Sequence, residues 1–167
     1  MKIGTLKCKG KEFKRCRWGI VNKHLWDVLN SYGCTPRKSN TLLFPNTEIF
    51  KDESLIIPFI RGYFDGDGCL TNKKTKPKAS FLGTDQFLTK LKEYLLKYSI
   101  KTGKLVSDSR EEFAKTLNIS QFDVFKFLHL IYDNATIYLN RKHNKFITFC
   151  RSLEKSNELL QTNIGGL

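Results

Sequence analysis

Two aspartates, Asp65 and Asp67, stand among three glycines in the stretch "FIRGYFDGDGCL", residues 59–70. Carboxylates are the oxygen donors that hard divalent cations take, and a cation so held can polarise a phosphate or activate a water. The flanking residues are aromatic and branched apolar, which places the pair at the end of a buried helix. Gly62 and Gly66 are four apart and share one helix face. Glycine in a helix interior costs about 1 kcal/mol relative to alanine, so two on one face point to a second backbone packing closely there. Gly68 suits the left-handed position just past a helix C-terminus. Asp67 then falls where the helix macrodipole favours cations over anions, and a Mg²⁺ ion (or Mn²⁺) on Asp67 and nearby carbonyls removes the conflict. Asp65 lies roughly 200° round a helix from Asp67, so it does not easily share the ion and caps or salt-bridges instead.

Other readings of the stretch are weaker. An Asp-Gly turn is ordinary turn chemistry. A dinucleotide-binding G-x-G-x-x-G fails because the third position falls on Thr71. A calcium loop starting at Asp65 would need glycine at 70 and an acid at 76, where Leu70 and Lys76 stand. His24, His129 and His143 are scattered without metal-ligand spacing, and His129 in an apolar helix reads as a satisfied core histidine.

The elements that would position the motif follow from periodicity and punctuation. Residues 1–20 are basic with short alternating stretches around Phe13, Cys16 and Trp18. A short helix follows over 22–34, with Asn22 as N-cap and Gly33 as stop. A Pro-punctuated loop covers 35–46, and the motif helix runs from about Leu55 to Asp67 with Pro58 in its first turn. Strands are predicted at 78–84, 103–109 and 113–120, and helices at 84–100 (N-cap Thr84 or Asp85), 120–134 and 138–155, before a tail expected to fray. No βαβ crossover spacing recurs, so the reading is α+β with an antiparallel sheet. The division is an N-terminal extension over 1–54, a domain over 55–150 and a tail over 151–167.

Twenty-nine Lys and Arg against 16 acids give the 167 residues a formal charge of +13, the signature of a polyanionic partner, with nucleic acid foremost. Lys73, Lys74, Lys76 and Lys78 are expected to meet phosphates, and Lys78, Ser80, Ser107, Ser109 and Lys115 to read bases from the outward side of the strands. Which side is outward depends on register, since a slip of one residue reverses it. The five cysteines are odd in number and form no C-x-x-C pair, which argues against a disulfide framework or zinc knuckle. No signal-peptide core or membrane-length apolar run is present, so the expectation is a soluble protein of the cytoplasm or an organelle matrix.

The nine residues "IRGYFDGDG" (60–68) resemble the LAGLIDADG motif of homing endonucleases position for position, with Ile60 for the first Leu, Gly62 for the first Gly, Asp65 for the first Asp and Asp67-Gly68 for the final pair. Downstream, "SFLGTDQFLTKLKEYL" and "IYLNRKHNKF" resemble that family's strand-to-helix unit and its basic C-terminal segment. The resemblance implies an αββαββα unit with a saddle-shaped antiparallel sheet in the DNA major groove. It also implies two motif helices packed at a twofold axis through Gly62, Asp65 and Gly66, and a divalent metal on Asp67. Arg141 and Lys142 are the cations it places nearest the cleaved phosphate. One motif per chain implies a homodimer, and an intron-encoded or free-standing site-specific DNA endonuclease is the function. The segment "VNKHLWDVLNSYGCTPRKSNTLLFP" resembles the part of a two-repeat member that precedes its second motif. A nucleic-acid-binding protein that kept the fold and lost cleavage, such as a splicing cofactor or regulator, is the alternative, as is a remnant of a two-repeat enzyme.

Overall fold

The computed structural model describes residues 2–8, 10–17, 19–36, 40–46, 48, 50, 52–71, 77–107 and 114–164. The chain divides into two compact units, Met1–Cys34 and Thr35–Leu167. In the first, strands β1 (Lys2–Cys8) and β2 (Lys11–Arg17) form an antiparallel hairpin in register from Lys2↔Arg17 to Cys8↔Lys11. Helix α1 (Lys23–Ser31) follows. The Asn22 side chain accepts the Leu25 backbone N–H at 2.9 Å, and Gly33 stands beyond the C-terminus with φ +81°, the left-handed conformation that glycine adopts without steric cost. Both ends of α1 therefore lie where the sequence signals put them.

The second unit begins with chain that packs on its own core: Leu42 and Phe44 lie against the buried cluster. A 3-10 turn at Glu53–Leu55, capped by Asp52, leads into the motif helix α2 (Ile56–Asp67). Then come β3 (Cys69–Thr71), β4 (Lys78–Gly83), α3 (Asp85–Lys97), β5 (Val106–Ser107), β6 (Lys115–Asn118), a 3-10 turn at Gln121–Asp123, α4 (Val124–Tyr132) and α5 (Asn140–Ile164). From α2 to α4 this is the αββαββα order. The four strands make one antiparallel sheet in the order β3-β4-β6-β5. Thr84, not Asp85, is the N-cap of α3, accepting from the Phe87 N–H at 3.2 Å.

The core lies between one face of the sheet and the helices. α2 sends Ile56, Ile60 and Phe64 inward, one every four residues, and α3 contributes Phe87, Leu88, Leu91 and Leu95. Phe64 of α2, Phe81 of β4 and Phe127 of α4 form a ring triad with centroids 4.9–5.5 Å apart, two of its three contacts edge-to-face.

Three elements depart from the sequence reading, the first being β3 (Cys69–Thr71), which none of the predicted strands covers. Among the described residues of the strand predicted over 103–109, Val106–Ser107 keep ladder geometry, and Leu105, between them and the isolated Thr102↔Ile119 bridge, packs on the core. The tail expected to fray continues α5 as far as Ile164. Among the described residues, no helix is long and apolar enough to cross a membrane.

Candidate active site at the end of the motif helix

The C-terminal end of α2 is shaped by glycine, but not for the reason sequence chemistry gives. Gly68 is extended, with φ −69° and ψ 153°, so handedness does not demand it. Steric closeness does. A Cβ there would lie 2.6 Å from the Phe64 carbonyl oxygen and 2.9 Å from Cε2 of the Phe64 ring, and its backbone N–H donates to that carbonyl at 2.9 Å. Gly62 and Gly66 are the opposite case: a Cβ at either meets nothing within 4 Å. With Pro58 they form an exposed stripe opposite the buried Ile56, Ile60 and Phe64. A groove of about 430 Å³ runs beside this stripe, between Pro58, Gly62 and the segment Ile137–Leu139.

The cation that the helix end calls for is present in the chain itself. Lys142, from the first turn of α5, is 1 % exposed, and its Nζ donates to the carbonyls of Phe64, Asp65 (3.1 Å) and Gly68. An ammonium has three N–H bonds and all three are taken. The same Nζ stands 4.7 Å from the centroid of the Phe64 ring. Burial lowers the Lys142 pKa, and the neighbouring Arg141 lowers it further; Asp65, Cys69 and Asp67 oppose the shift. Solvated surface charge, the plain alternative for this basic pair, describes Arg141, which is exposed, and not Lys142.

The two aspartates separate as their positions round the helix dictate. Asp65 is half-buried and accepts from Tyr132 Oη at 2.7 Å and from the Leu139 backbone N–H at 2.9 Å, so it ties α2 to α4 and to the start of α5. The Tyr132 hydroxyl pKa is raised, by burial first and then by its bond to Asp65. Arg61, one turn back, donates to the Ile131 carbonyl at 3.1 Å, near the C-terminus of α4. Asp67 is exposed, and among the described residues no donor reaches its carboxylate. The Tyr63 pKa is raised to about 12, by burial and then by the charge on Asp67, while Tyr63 Oη donates to the Leu82 carbonyl at 2.7 Å. Tyr63 lies inside the nine-residue motif but at a position the motif does not single out, and Tyr132 lies outside it. Each became visible only through what its hydroxyl reaches.

Register settles which strand residues face away from the helices. Ala79 and Phe81 of β4 and Leu117 of β6 are buried. Lys78, Ser80 and Leu82 therefore face outward, with Thr116 and Asn118, and cross-strand pairing adds Thr71, Cys69 and Val106. Of the predicted base readers, Lys78 and Ser80 lie on this side. Lys115 and Ser107 share the parity of Leu117 and pair with one another, Lys115 Nζ donating to Ser107 Oγ at 2.9 Å. The expectation that they face outward is corrected here: the register is one residue off for both. Lys73, Lys74, Lys76 and Ser109 lie outside the described residues. Thr116, Asn118, Cys69, Leu82 and Val106 are outward residues that the sequence reading did not single out. His129, expected in the core, lies on the outer side of α4 and pairs with Asp133, Nδ1 to Oδ2 at 3.0 Å. His143 stacks on Tyr138 at 3.9 Å. Among the described residues no group of three or more His, Cys, Asp or Glu could hold a metal ion.

Fold and site together define an α+β protein whose motif helix presents a small-residue face and ends in an exposed acid. Residues 54–132 match the family model of the LAGLIDADG-like domain. Among solved structures, one described as a mesophilic variant of the homing endonuclease I-DmoI is similar, with TM-score 0.50 and 18% identity over 80% of this chain and 64% of that one. At that identity the likeness is one of fold, and the chain spans less than two thirds of that structure. No curated protein matches the sequence. The chain carries the LAGLIDADG homing-endonuclease fold, and residues 54–132 of it are similar to the LAGLIDADG-like domain.

Proposed function

We propose that the protein is a divalent-metal-dependent, site-specific DNA endonuclease that assembles its cleavage site from two copies of α2. The observation that carries this reading is the pairing, on one helix, of an open Pro58-Gly62-Gly66 face with an exposed Asp67 carboxylate at its end. Two such helices in contact would bring two Asp67 groups together. One chain offers Asp67 and the α2 carbonyls that Lys142 does not take, those of Gly66 and Asp67; these are hard oxygen donors, but fewer than the six positions of a Mg²⁺ ion. A second chain, water and phosphate oxygens complete the set. When bound, the ion supplies charge neutralisation at the phosphate and an acidified water.

The chain's own residues do the rest. Lys142 clamps the last turn of α2 from beneath and fixes the direction of Asp67. Arg141, exposed beside it, is the cation left to meet a phosphate. The sheet face opposite the helices meets the duplex, whose phosphates the +13 charge attracts.

The test is incubation of the full chain with the genomic DNA flanking its gene, with and without Mg²⁺. The expected result is metal-dependent double-strand cleavage at one locus, reduced at least about 100-fold by Asp67→Asn, in the range of a lost electrostatic group. Equal cutting by Asp67→Asn would overturn the metal assignment. Binding without cutting by both proteins would instead make this a nucleic-acid-binding member of the family.

A further inference from the structure

The outward face of the sheet carries chemistry that discriminates among base pairs. Among the described outward positions there is no arginine and no acid, and the one charged group is Lys78, paired with the last residue of β3. Guanine is read in the major groove chiefly by Arg or Lys on O6 and N7, and cytosine by a carboxylate on N4. Those groups are scarce here. Adenine is read by a bidentate Asn or Gln, and thymine by apolar contact with its 5-methyl group. Both of these are present, and in register. Leu82, Thr116 and Val106 lie side by side across three strands, through the pairs Leu82↔Thr116 and Val106↔Thr116. Neither Leu82 nor Val106 packs on the core, and Val106 is 54% exposed. Neighbouring strands are about 4.8 Å apart, so three methyl-bearing side chains span two to three base-pair steps. Asn118, exposed and paired with Ser80, lies on the same face two residues along β6.

We infer that this face reads A·T base pairs: the Leu82-Thr116-Val106 row contacts thymine methyl groups on successive pairs, and Asn118 takes an adjacent adenine. The inference rests on the proposal that the sheet meets duplex DNA, for which the argument is charge complementarity and the uncovered polar face. It adds the base class that the face prefers.

The experiment is selection of bound duplexes from a random-sequence pool by the full chain at one fixed salt concentration. The selected duplex is then resynthesised with deoxyuridine in place of thymidine, which removes only the methyl group. The expected result is a run of A·T pairs in the selected site, and about fourfold weaker binding for each contacted thymine replaced, the equivalent of one buried methyl. Val106→Ser, at an exposed edge strand and so without risk to folding, and Leu82→Ala should each lower the thymine-to-uracil ratio toward one. Asn118→Ala should relax the choice at one adenine. Selected sites dominated by G·C, or equal binding of thymine and uracil duplexes, would overturn the inference and leave DNA binding intact. No enrichment of any duplex would overturn the DNA-binding proposal and this inference with it.

Discussion

Lys142 and Gly68 carry the energetics at the end of α2. Lys142 is a buried ammonium with three carbonyl acceptors, and removing it takes a charged donor from each of them, leaving the Phe64 carbonyl only its bond from the Gly68 N–H. Lys142→Met should therefore destabilise the fold by about 3 kcal/mol, the scale for breaking a buried charged hydrogen-bond set, as read from urea unfolding. The same variant should leave Asp67 less well aimed, so its metal affinity should fall as well. Gly68→Ala should cost about 1–3 kcal/mol, because the new methyl group meets the Phe64 carbonyl and ring and neither can retreat from a packed core. Sequence chemistry found Gly68 but assigned it to helix-end handedness. The extended backbone gives a different cause, visible only once Phe64 and Gly68 are seen in contact.

At the scale of the element, α2 is a helix with two faces under opposite demands. Gly62→Ala adds a methyl into open space, so the isolated chain should gain up to about 1 kcal/mol from helix propensity alone. If α2 pairs with a second α2, the same methyl should weaken self-association, and sedimentation alongside thermal unfolding separates the two effects. A rise in monomer stability with no loss of association would refute the role of this face. The links from α2 to its neighbours depend on pH at the alkaline end. Tyr132 and Tyr63 both have raised hydroxyl pKa values, so their neutral forms are favoured in the fold. Their stabilising contribution is complete below the unfolded tyrosine pKa near 10 and is lost as pH rises above it. For Tyr63 that loss runs to about 12. Absorbance titration should show late-ionising tyrosines, and Tyr132→Phe should remove one of them while releasing Asp65 from a partner.

For the whole molecule, the question is how one chain with one motif makes a site. The protein's surplus of 13 positive charges should give binding to duplex DNA a steep salt dependence. Lys78→Ala, on the outward sheet face, should reduce the slope of log affinity against log salt by about one if that residue neutralises a phosphate. An unchanged slope would place Lys78 off the duplex. If a second copy supplies the second motif helix, as proposed, the pair forms either free in solution or only on DNA. Mass measurement on and off DNA distinguishes those cases.

Much of this protein was legible in its sequence, because local rules acted alone there. Apolar flanks and Pro58 placed α2, and the spacing of Gly62 and Gly66 identified the face that the structure leaves open, opposite the buried Ile56, Ile60 and Phe64. Asn22 and Gly33 set the ends of α1 through their own hydrogen bond and dihedral. The succession of such signals supplied the helices and three of the four strands, while the full αββαββα order, with β3 in it, was what the family resemblance implied. What only the tertiary structure decided are the properties that depend on distant residues. Strand register needs partners, and so Lys115 and Ser107 moved to the other side of the sheet while Thr116 and Asn118 came to the front. Burial needs neighbours, and so His129 is on the surface and Lys142 is in the interior. The helix end did require a cation, as its dipole dictates. The sequence could not show that a lysine 75 residues after Asp67 in the chain would supply the first one.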